Sequence, residues 1–498
     1  MAEDPFKNRA AKKCALLALA LIAACSGPTK QTFFELLEPC TSEQGPSDAY
    51  CGSFEVAENP NDPDGRKISL NTVVLPAFNA DSQPDPVFFL AGGPGQGAAS
   101  MARRIDGVFQ EVRRQRDVVL VDQRGTGKSN VFQCKFREDQ EAFQDSPPLT
   151  EAEVEKCLEG FDGDPRFYTT TIAMDDLDAV REWLGYERIN AMGGSYGTRA
   201  ALVYLRRHPE HVRTVVLDGV APPDMTIPLF TARDSQRALD QLLEACGDNS
   251  ECDERFPDLK DRLETLLADL ERNPRAVRVR HPRTGEETEA TISKRMVALT
   301  VRMALYSPLA GSLVPLAIDQ AAKGEFAPLA GLMSSSEGLE DEIANGMYLS
   351  VTCSEDYPRL NLELVDAESA RTFIGRDMLD SSTEACKYWP RGEVDRSYYE
   401  PVESDLPVLI LSGEVDPVTP PSWGDDVAQH LPNSRHIVSP GTGHGVMMAG
   451  CGMRLIGEFI DTASAADLDA SCLDVQAQPA FFLNFSGPYA VQEKESAE

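Results

Sequence analysis

Residues Ile189 to Met192 read as a short apolar strand, and a helical stretch runs from about Tyr196 to His208. The turn between them is Gly193-Gly194-Ser195-Tyr196-Gly197-Thr198, a G-x-S-x-G pattern. Few backbone paths join a buried strand to a helix so abruptly. The serine must take a strained conformation, and the residues two before and two after it must lack bulk, which Gly193 and Gly197 satisfy. Such a turn lifts the hydroxyl out of the sheet and points a helix N-terminus at charge developing beside it. Ser195 is therefore the candidate nucleophile.

A serine hydroxyl needs a base, and on this turn the chain order is Ser, then Asp or Glu, then His. His430, His436 and His444 follow any plausible acid. His430 reads as a helix end and His436 as part of a strand, Ser434 to Val438. His444 sits in Gly441-Thr442-Gly443-His444-Gly445, a loop of small residues just after that strand, and is the candidate general base. The acid is expected in the loop after strand Val408 to Leu411, where Glu414 and Asp416 both lie. Asp416 is assigned the role, with Glu414 as the alternative; either would hold the imidazole tautomer and stabilise its cation.

Stabilising the oxyanion requires two backbone N–H donors. Tyr196, which follows the nucleophile, supplies one. The other is expected from Ala91-Gly92-Gly93-Pro94-Gly95-Gln96-Gly97, the loop after strand Pro86 to Leu90. Gly92 or Gly93 can donate and Pro94 cannot. The stretch Asp122-Gln123-Arg124-Gly125-Thr126-Gly127-Lys128-Ser129 ends like a phosphate-binding loop, but Asp122 stands where that pattern needs glycine.

Further strands are expected over residues 67–78, 117–122 and 215–217, with a helix carrying Met174, Leu177, Val180 and Leu184. Strands alternating with helices imply a mostly parallel α/β sheet. The alternation breaks between about Ala221 and Pro401, a helix-rich stretch with few strand runs, for example Ala238 to Cys246 and Leu259 to Leu270. It is expected as a helical insertion over the sheet's C-terminal edge, where open α/β sheets bind ligands. Glu138 to Asp164, with ten acids and one lysine, is expected as a solvated excursion. The organisation is a signal segment 1–24, core 25–220, helical cap 221–400 and core 401–498.

The N-terminus carries Lys7, Arg9, Lys12 and Lys13, then an apolar run from Ala15 to Ala24 that is too short to span a bilayer. Ile22-Ala23-Ala24-Cys25 looks like a bacterial lipobox, with Cys25 as the lipidation site; an ordinary secretory signal is the alternative. Cleavage before Cys25 removes four bases and two acids from a chain of net charge −33. So acidic a chain will not bind a phosphate backbone by counter-ion release, which excludes nucleic acid as partner. Twelve cysteines include ten beyond the signal and Cys25, and an even set in an exported chain reads as disulfides. Spacing suggests neighbour pairing, 40–51, 134–157, 246–252, 353–386 and 451–472. With no HExxH or CxxC and only six histidines, no metal site is expected.

Four motifs in order, Gly92-Gly93-Pro94-Gly95, Asp122 to Ser129, Gly193 to Thr198 and Asp416-Pro417-Val418-Thr419-Pro420, together resemble the α/β-hydrolase aminopeptidases. These are the proline iminopeptidases and the secreted tripeptidyl aminopeptidases. The resemblance runs from about residue 50 to about residue 475. Ala91 stands where proline iminopeptidases usually carry histidine, and the chain's size, export and C-terminal extension look more like the tripeptidyl branch. The resemblance implies an α/β-hydrolase fold, a mostly parallel central sheet with a helical cap insertion, and no cofactor. It implies peptide substrates with a free N-terminus, cleaved through an acyl-enzyme, and a membrane association only through the lipid anchor. Recognition of an α-ammonium calls for a carboxylate. Cys353-Ser354-Glu355-Asp356 resembles a Cys-x-x-Asp feature of the tripeptidyl branch, so Glu355 and Asp356 are the candidates; an exposed acidic pair is the alternative. The same triad serves carboxylesterases and lipases, the rival enzyme reading, and a non-catalytic surface lipoprotein is the rival from another class.

Overall fold

The computed structural model describes residues 33–40, 48–102, 107–134, 136, 148–280, 285–336 and 342–488. The signal segment and Cys25 lie outside the described residues. The strands are β1 (Glu38–Cys40), β2 (Ala49–Ala57), β3 (Lys67–Leu75), β4 (Val87–Leu90), β5 (Val118–Val121), β6 (Ile189–Gly194), β7 (Val212–Asp218), β8 (Arg275–Arg280), β9 (Glu287–Ile292), β10 (Val408–Gly413) and β11 (Ser434–Ser439). Nine of them form one sheet in the order β1-β2-β3-β5-β4-β6-β7-β10-β11. From β5 to β11 every neighbouring pair is parallel, while β1, β2 and β3 form an antiparallel edge. This is the mostly parallel sheet expected. All residues of β4, β5 and β10 are buried, the continuous apolar reading of strands covered on both faces.

The helix Thr170–Trp183 and the helix Tyr196–Arg207 pack together on one face of the sheet. Ala173, Met174, Leu177 and Val180 of the first meet Ala200, Leu202, Val203 and Tyr204 of the second over β4 to β7. The helix Gly452–Thr462 covers the other face with Leu455, Ile456, Phe459 and Ile460. The first and third sets recur at the spacing of a helical stripe, whereas the helix after Ser195 is buried on all sides from Tyr196 to Leu205.

Between β7 and β10 the chain builds helices Thr231–Asp248, Leu259–Arg272, Lys294–Ala304 and Val314–Ala322. They have a core of their own: Leu259, Leu263, Leu266, Leu267 and Leu270 pack with Leu239, Val297, Val301 and Ile318. Two expectations need correcting. The insertion, expected to be helix-rich, also holds an antiparallel pair, β8–β9, in which Val277 and Val279 alternate with Arg278 and Arg280, Arg278 facing Glu289 and Arg280 facing Glu287. The acidic stretch before Asp164 is not all excursion, since Glu151–Glu159 is a helix with a capping box from Thr150 and Glu153.

All ten expected disulfide cysteines pair as neighbours: 40–51, 134–157, 246–252, 353–386 and 451–472. Among the described residues no helix is long and apolar enough to cross a membrane.

Candidate active site

Ser195 lies between β6 and the helix Tyr196–Arg207 with φ 56° and ψ −126°, a conformation non-glycine residues avoid. Its neighbours explain how that strain is held. A Cβ on Gly193 would overlap the Gly197 carbonyl, and one on Gly197 would overlap the Leu90 carbonyl at the end of β4. The Ser195 N–H donates to the Asp218 carbonyl at 2.9 Å. The turn is thus wedged between the ends of β4 and β7.

The loop after β4 runs beside the nucleophile: a Cβ placed on Gly92 would lie 3.2 Å from the Ser195 Cβ. Gly93 takes φ 108°, open to glycine alone. Gly92 is therefore at the serine, as is Tyr196, whose phenol shares a hydrogen bond with the Thr170 hydroxyl at 2.6 Å.

Asp416 and His444 meet. The His444 Nδ1 and the Asp416 Oδ2 are 2.7 Å apart. The other Asp416 oxygen accepts from the N–H groups of Val418 at 2.8 Å and Thr419 at 3.0 Å, and the Thr419 hydroxyl donates to Oδ2 at 2.8 Å. Burial pushes the Asp416 carboxyl up, but the charge and hydrogen bond of His444 outweigh it and hold it below the usual carboxylate range. Burial likewise lowers the proton affinity of His444, and Asp416 outweighs that, so its pKa stands above the ordinary 6.5. Glu414 is exposed and accepts from the Gly441 N–H at 2.8 Å, away from the imidazole. His436 bonds Asp425 and Ser412 on the far side of β11.

Sequence reading missed Asp218, which ties the two halves together. Its carbonyl receives Ser195, and its carboxylate accepts from Val446 and Met447, two and three residues past His444, at 2.8 Å each. It is buried, and burial pushes its carboxyl up to about 6 against those two N–H donors. The visible signal was an acid closing an apolar strand before glycine.

Also unforeseen is how far the insertion holds the catalytic loops. The Arg237 guanidinium donates to the carbonyls of Glu414 at 3.0 Å and Asp416 at 2.6 Å, and the Ser235 hydroxyl to that of Pro417 at 3.1 Å. The His444 N–H donates to the Tyr306 carbonyl at 3.0 Å, and the Tyr306 ring stands edge-on to the imidazole at 5.3 Å. The Ala344 N–H donates to the Gly95 carbonyl at 3.0 Å.

Glu355 and Asp356 lie in a short π-helical turn, a local form common at functional sites. They are not an exposed pair: both are fully buried. Glu355 accepts from the Thr170 N–H at 2.7 Å, the Thr170 hydroxyl at 2.9 Å and the Tyr398 phenol. Asp356 takes both oxygens to Arg199 at 3.2 Å, and Glu355 lies 3.7 Å from the same guanidinium. Burial pushes both carboxyls up, against the pull of Arg199. Thr170 links Glu355 to the Tyr196 phenol, one step from the nucleophile turn.

Residues 85–245 match the family model of the alpha/beta hydrolase fold, and residues 371–472 match that of a TAP-like protein. The serine protease Hip1 of Mycobacterium tuberculosis is 25% identical over 459 residues, 83% of this chain and 85% of that one. The tripeptidyl aminopeptidase of Streptomyces lividans is 24% identical over 442 residues, 82% of this chain and 80% of that one. The proline iminopeptidase of Neisseria gonorrhoeae is 34% identical over 146 residues, which is 29% of this chain and 36% of that one. The chain has the α/β-hydrolase fold and is similar to its serine aminopeptidases.

The Asp122 to Ser129 motif is a brace rather than a phosphate cradle. The Asp122 carboxylate accepts from Asn71 at 2.8 Å, from the Ala99 N–H at 2.8 Å and from the Lys128 N–H at 3.0 Å. Arg124 is clamped on Asp176 at 2.6 and 2.8 Å. Asp178, His208 and His211 gather with metal-ligand spacing on the outer helices, but that carboxylate already receives Arg181 at 2.7 Å and Tyr204 at 2.8 Å.

Proposed function

We propose that the chain is an exported serine exopeptidase that removes N-terminal tripeptides or single residues, proline among them, from peptides. The observation that carries this reading is the 2.7 Å bond between His444 and Asp416 beside a serine held at φ 56°. Ser195 attacks the scissile carbonyl as His444 takes its proton. The N–H groups of Tyr196 and of Gly92 or Gly93 bind the oxyanion, and His444 then protonates the leaving amine. Water, deprotonated by His444, hydrolyses the acyl-enzyme. Asp416 fixes the tautomer throughout.

Glu355 and Asp356 are the ammonium-recognising acids of this reading. Both carboxylates face Arg199, Asp356 at 3.2 Å and Glu355 at 3.7 Å, and Arg359 also acts on Asp356. Segment 221–400 acts as the cap over the cleft, and residues 1–24 as a signal that leaves Cys25 lipidated. The five disulfides support an oxidising compartment.

The test is a substrate panel given to the protein without its signal: a free tripeptidyl amide, its N-acetyl form, a free prolyl amide and a short aryl ester. Cleavage confined to free N-termini supports the reading, and the tripeptidyl-to-prolyl ratio assigns the branch. Ester turnover with no amide turnover would move the chain to the esterases. Ser195→Ala must abolish turnover while the protein stays folded; appreciable residual activity refutes the nucleophile.

A further inference from the structure

Six arginines are buried among the described residues: Arg113, Arg116, Arg124, Arg181, Arg199 and Arg302. Five of them face carboxylates, namely Asp48, Asp85, Asp176, Asp178 and Asp356 in turn. That is the rule for buried charge, since an isolated cation loses its hydration with nothing in return. Arg302 departs from it. It is only 8% exposed, and no carboxylate pairs with it among the described residues. Its Nη2 donates to the Tyr306 phenol at 2.9 Å, its Nη1 meets only the Met303 sulfur at 3.7 Å, and its Nε has no partner. The Tyr306 ring lies 5.2 Å from the guanidinium carbon and supplies a weak cation–π contact.

The position of this cation matters. Tyr306 is the residue whose carbonyl receives His444 and whose ring stands against the imidazole. The Arg302 charge acts on His444 and also on Tyr348. Tyr348 belongs to the helix Asn345–Val351, which leads straight into Glu355 and Asp356, and Asp356 acts on the same phenol. A buried cation without a carboxylate partner among the described residues therefore stands behind Tyr306, next to the base loop.

We propose that Arg302 is a specificity-determining residue that recognises a carboxylate of the substrate, either an acidic side chain or the C-terminal carboxylate of a short peptide. With Nε lacking an acceptor and Nη1 meeting only a thioether, the guanidinium is short of the anionic acceptor that the other buried arginines have, and a carboxylate is the group that supplies it. This rests on the aminopeptidase reading for the kind of substrate, but the anion preference itself needs only an acyl compound that reaches Ser195.

The experiment compares substrates that differ only as carboxylate against carboxamide, with the full mature chain. One pair is a free-N-terminal peptide bearing Glu or Gln, and a second is the same short peptide as C-terminal acid or amide. A third is the 4-nitrophenyl monoester of glutaric acid against its carboxamide analogue. The wild type is expected to favour the carboxylate member of at least one pair by about tenfold in kcat/KM, chiefly through KM. Arg302→Gln brings that ratio near one, and Arg302→Lys retains part of it. Because each ratio is taken within one protein, a general loss of activity from loosening Tyr306 cancels. A wild-type ratio of one or below in all three pairs overturns the proposal, as does an Arg302→Gln ratio equal to the wild type's. The first two pairs distinguish side chain from C-terminus. If peptides are not cleaved and the esters are, the aminopeptidase reading fails while the third pair still decides Arg302. If Arg302→Gln does not fold, the wild-type and lysine ratios decide. If nothing turns over, protection of Ser195 from a fluorophosphonate by glutarate and not by glutaramide supports the proposal, and equal protection overturns it.

Discussion

Ser195 is held by the strands it grew from, whereas Asp416 and His444 are held from across the cleft by the inserted helices. The nucleophile turn is wedged by backbone: the glycines at 193 and 197 admit the Gly197 and Leu90 carbonyls where no side chain fits. The base loop is glycine-rich and the acid loop carries two prolines, and their carbonyls and N–H groups are completed by Arg237, Ser235 and Tyr306. Asp218 reaches both, through its carbonyl on one side and its carboxylate on the other. The contrast teaches that a strained nucleophile can be built from local sterics, while orienting a base takes long-range polar contacts. It also means that the insertion cannot swing away as a simple lid without releasing the base.

The largest effect expected is from Asp416→Asn, which leaves the packing but inverts the tautomer preference of His444. It should cost about 10⁴-fold in kcat, or roughly 5 kcal/mol of barrier. A loss below tenfold in steady-state kinetics would remove Asp416 from the triad. Gly197→Ala comes next and attacks the other half. Its new Cβ has only backbone to displace, so unfolding in denaturant should show a loss of about 4 kcal/mol. An alanine variant of wild-type stability would mean that the turn is not sterically wedged. Arg237→Met tests the insertion's grip. It should lower kcat about tenfold with little change in melting temperature, about 1.4 kcal/mol of lost orientation. Unchanged kcat would reduce the insertion to a cover and erase the contrast. Glu414→Gln should do least, within about 0.5 kcal/mol in stability and without effect on turnover. A large loss there would reopen the choice of acid.

The pH profile reads the same pair. His444 works as a base only when neutral, and Asp416 holds its pKa above 6.5. kcat/KM should therefore rise with pH through an apparent value above 6.5. Asp416→Asn removes the charge that raises it, so the limb of any residual activity shifts to lower pH; an unmoved limb would contradict the coupling. Stability follows with opposite windows. The raised imidazole contributes fully below 6.5 and loses its contribution as pH climbs through the folded value. The depressed Asp416 carboxyl contributes above 3.8 and loses its contribution as pH falls through its folded value.

Much of the site was readable along the chain because its demands are local. Gly193, Ser195 and Gly197 must sit within one turn, and Asp416 and His444 each lie in a short loop just after a strand, so short stretches reveal them. The parallel strands were equally plain, since strands buried on both faces are runs of Val, Ile and Leu. The pair β8–β9 was not, because it is short and buries only Val279, Ala290 and Ile292, so its alternation of Val277 and Val279 with Arg278 and Arg280 stands out little from a polar stretch. Nor could the order of residues reveal that Asp218 meets residues 446 and 447, that Arg237 caps the Asp416 loop, or that Tyr306 carries His444. The charge of Arg302 is written in the sequence, but its lack of a carboxylate partner is not. Local steric and hydrophobic rules determine a strand, a turn or a helix from a few neighbouring residues. The neighbours of a buried polar group come from segments hundreds of residues away, and only the packed fold selects them.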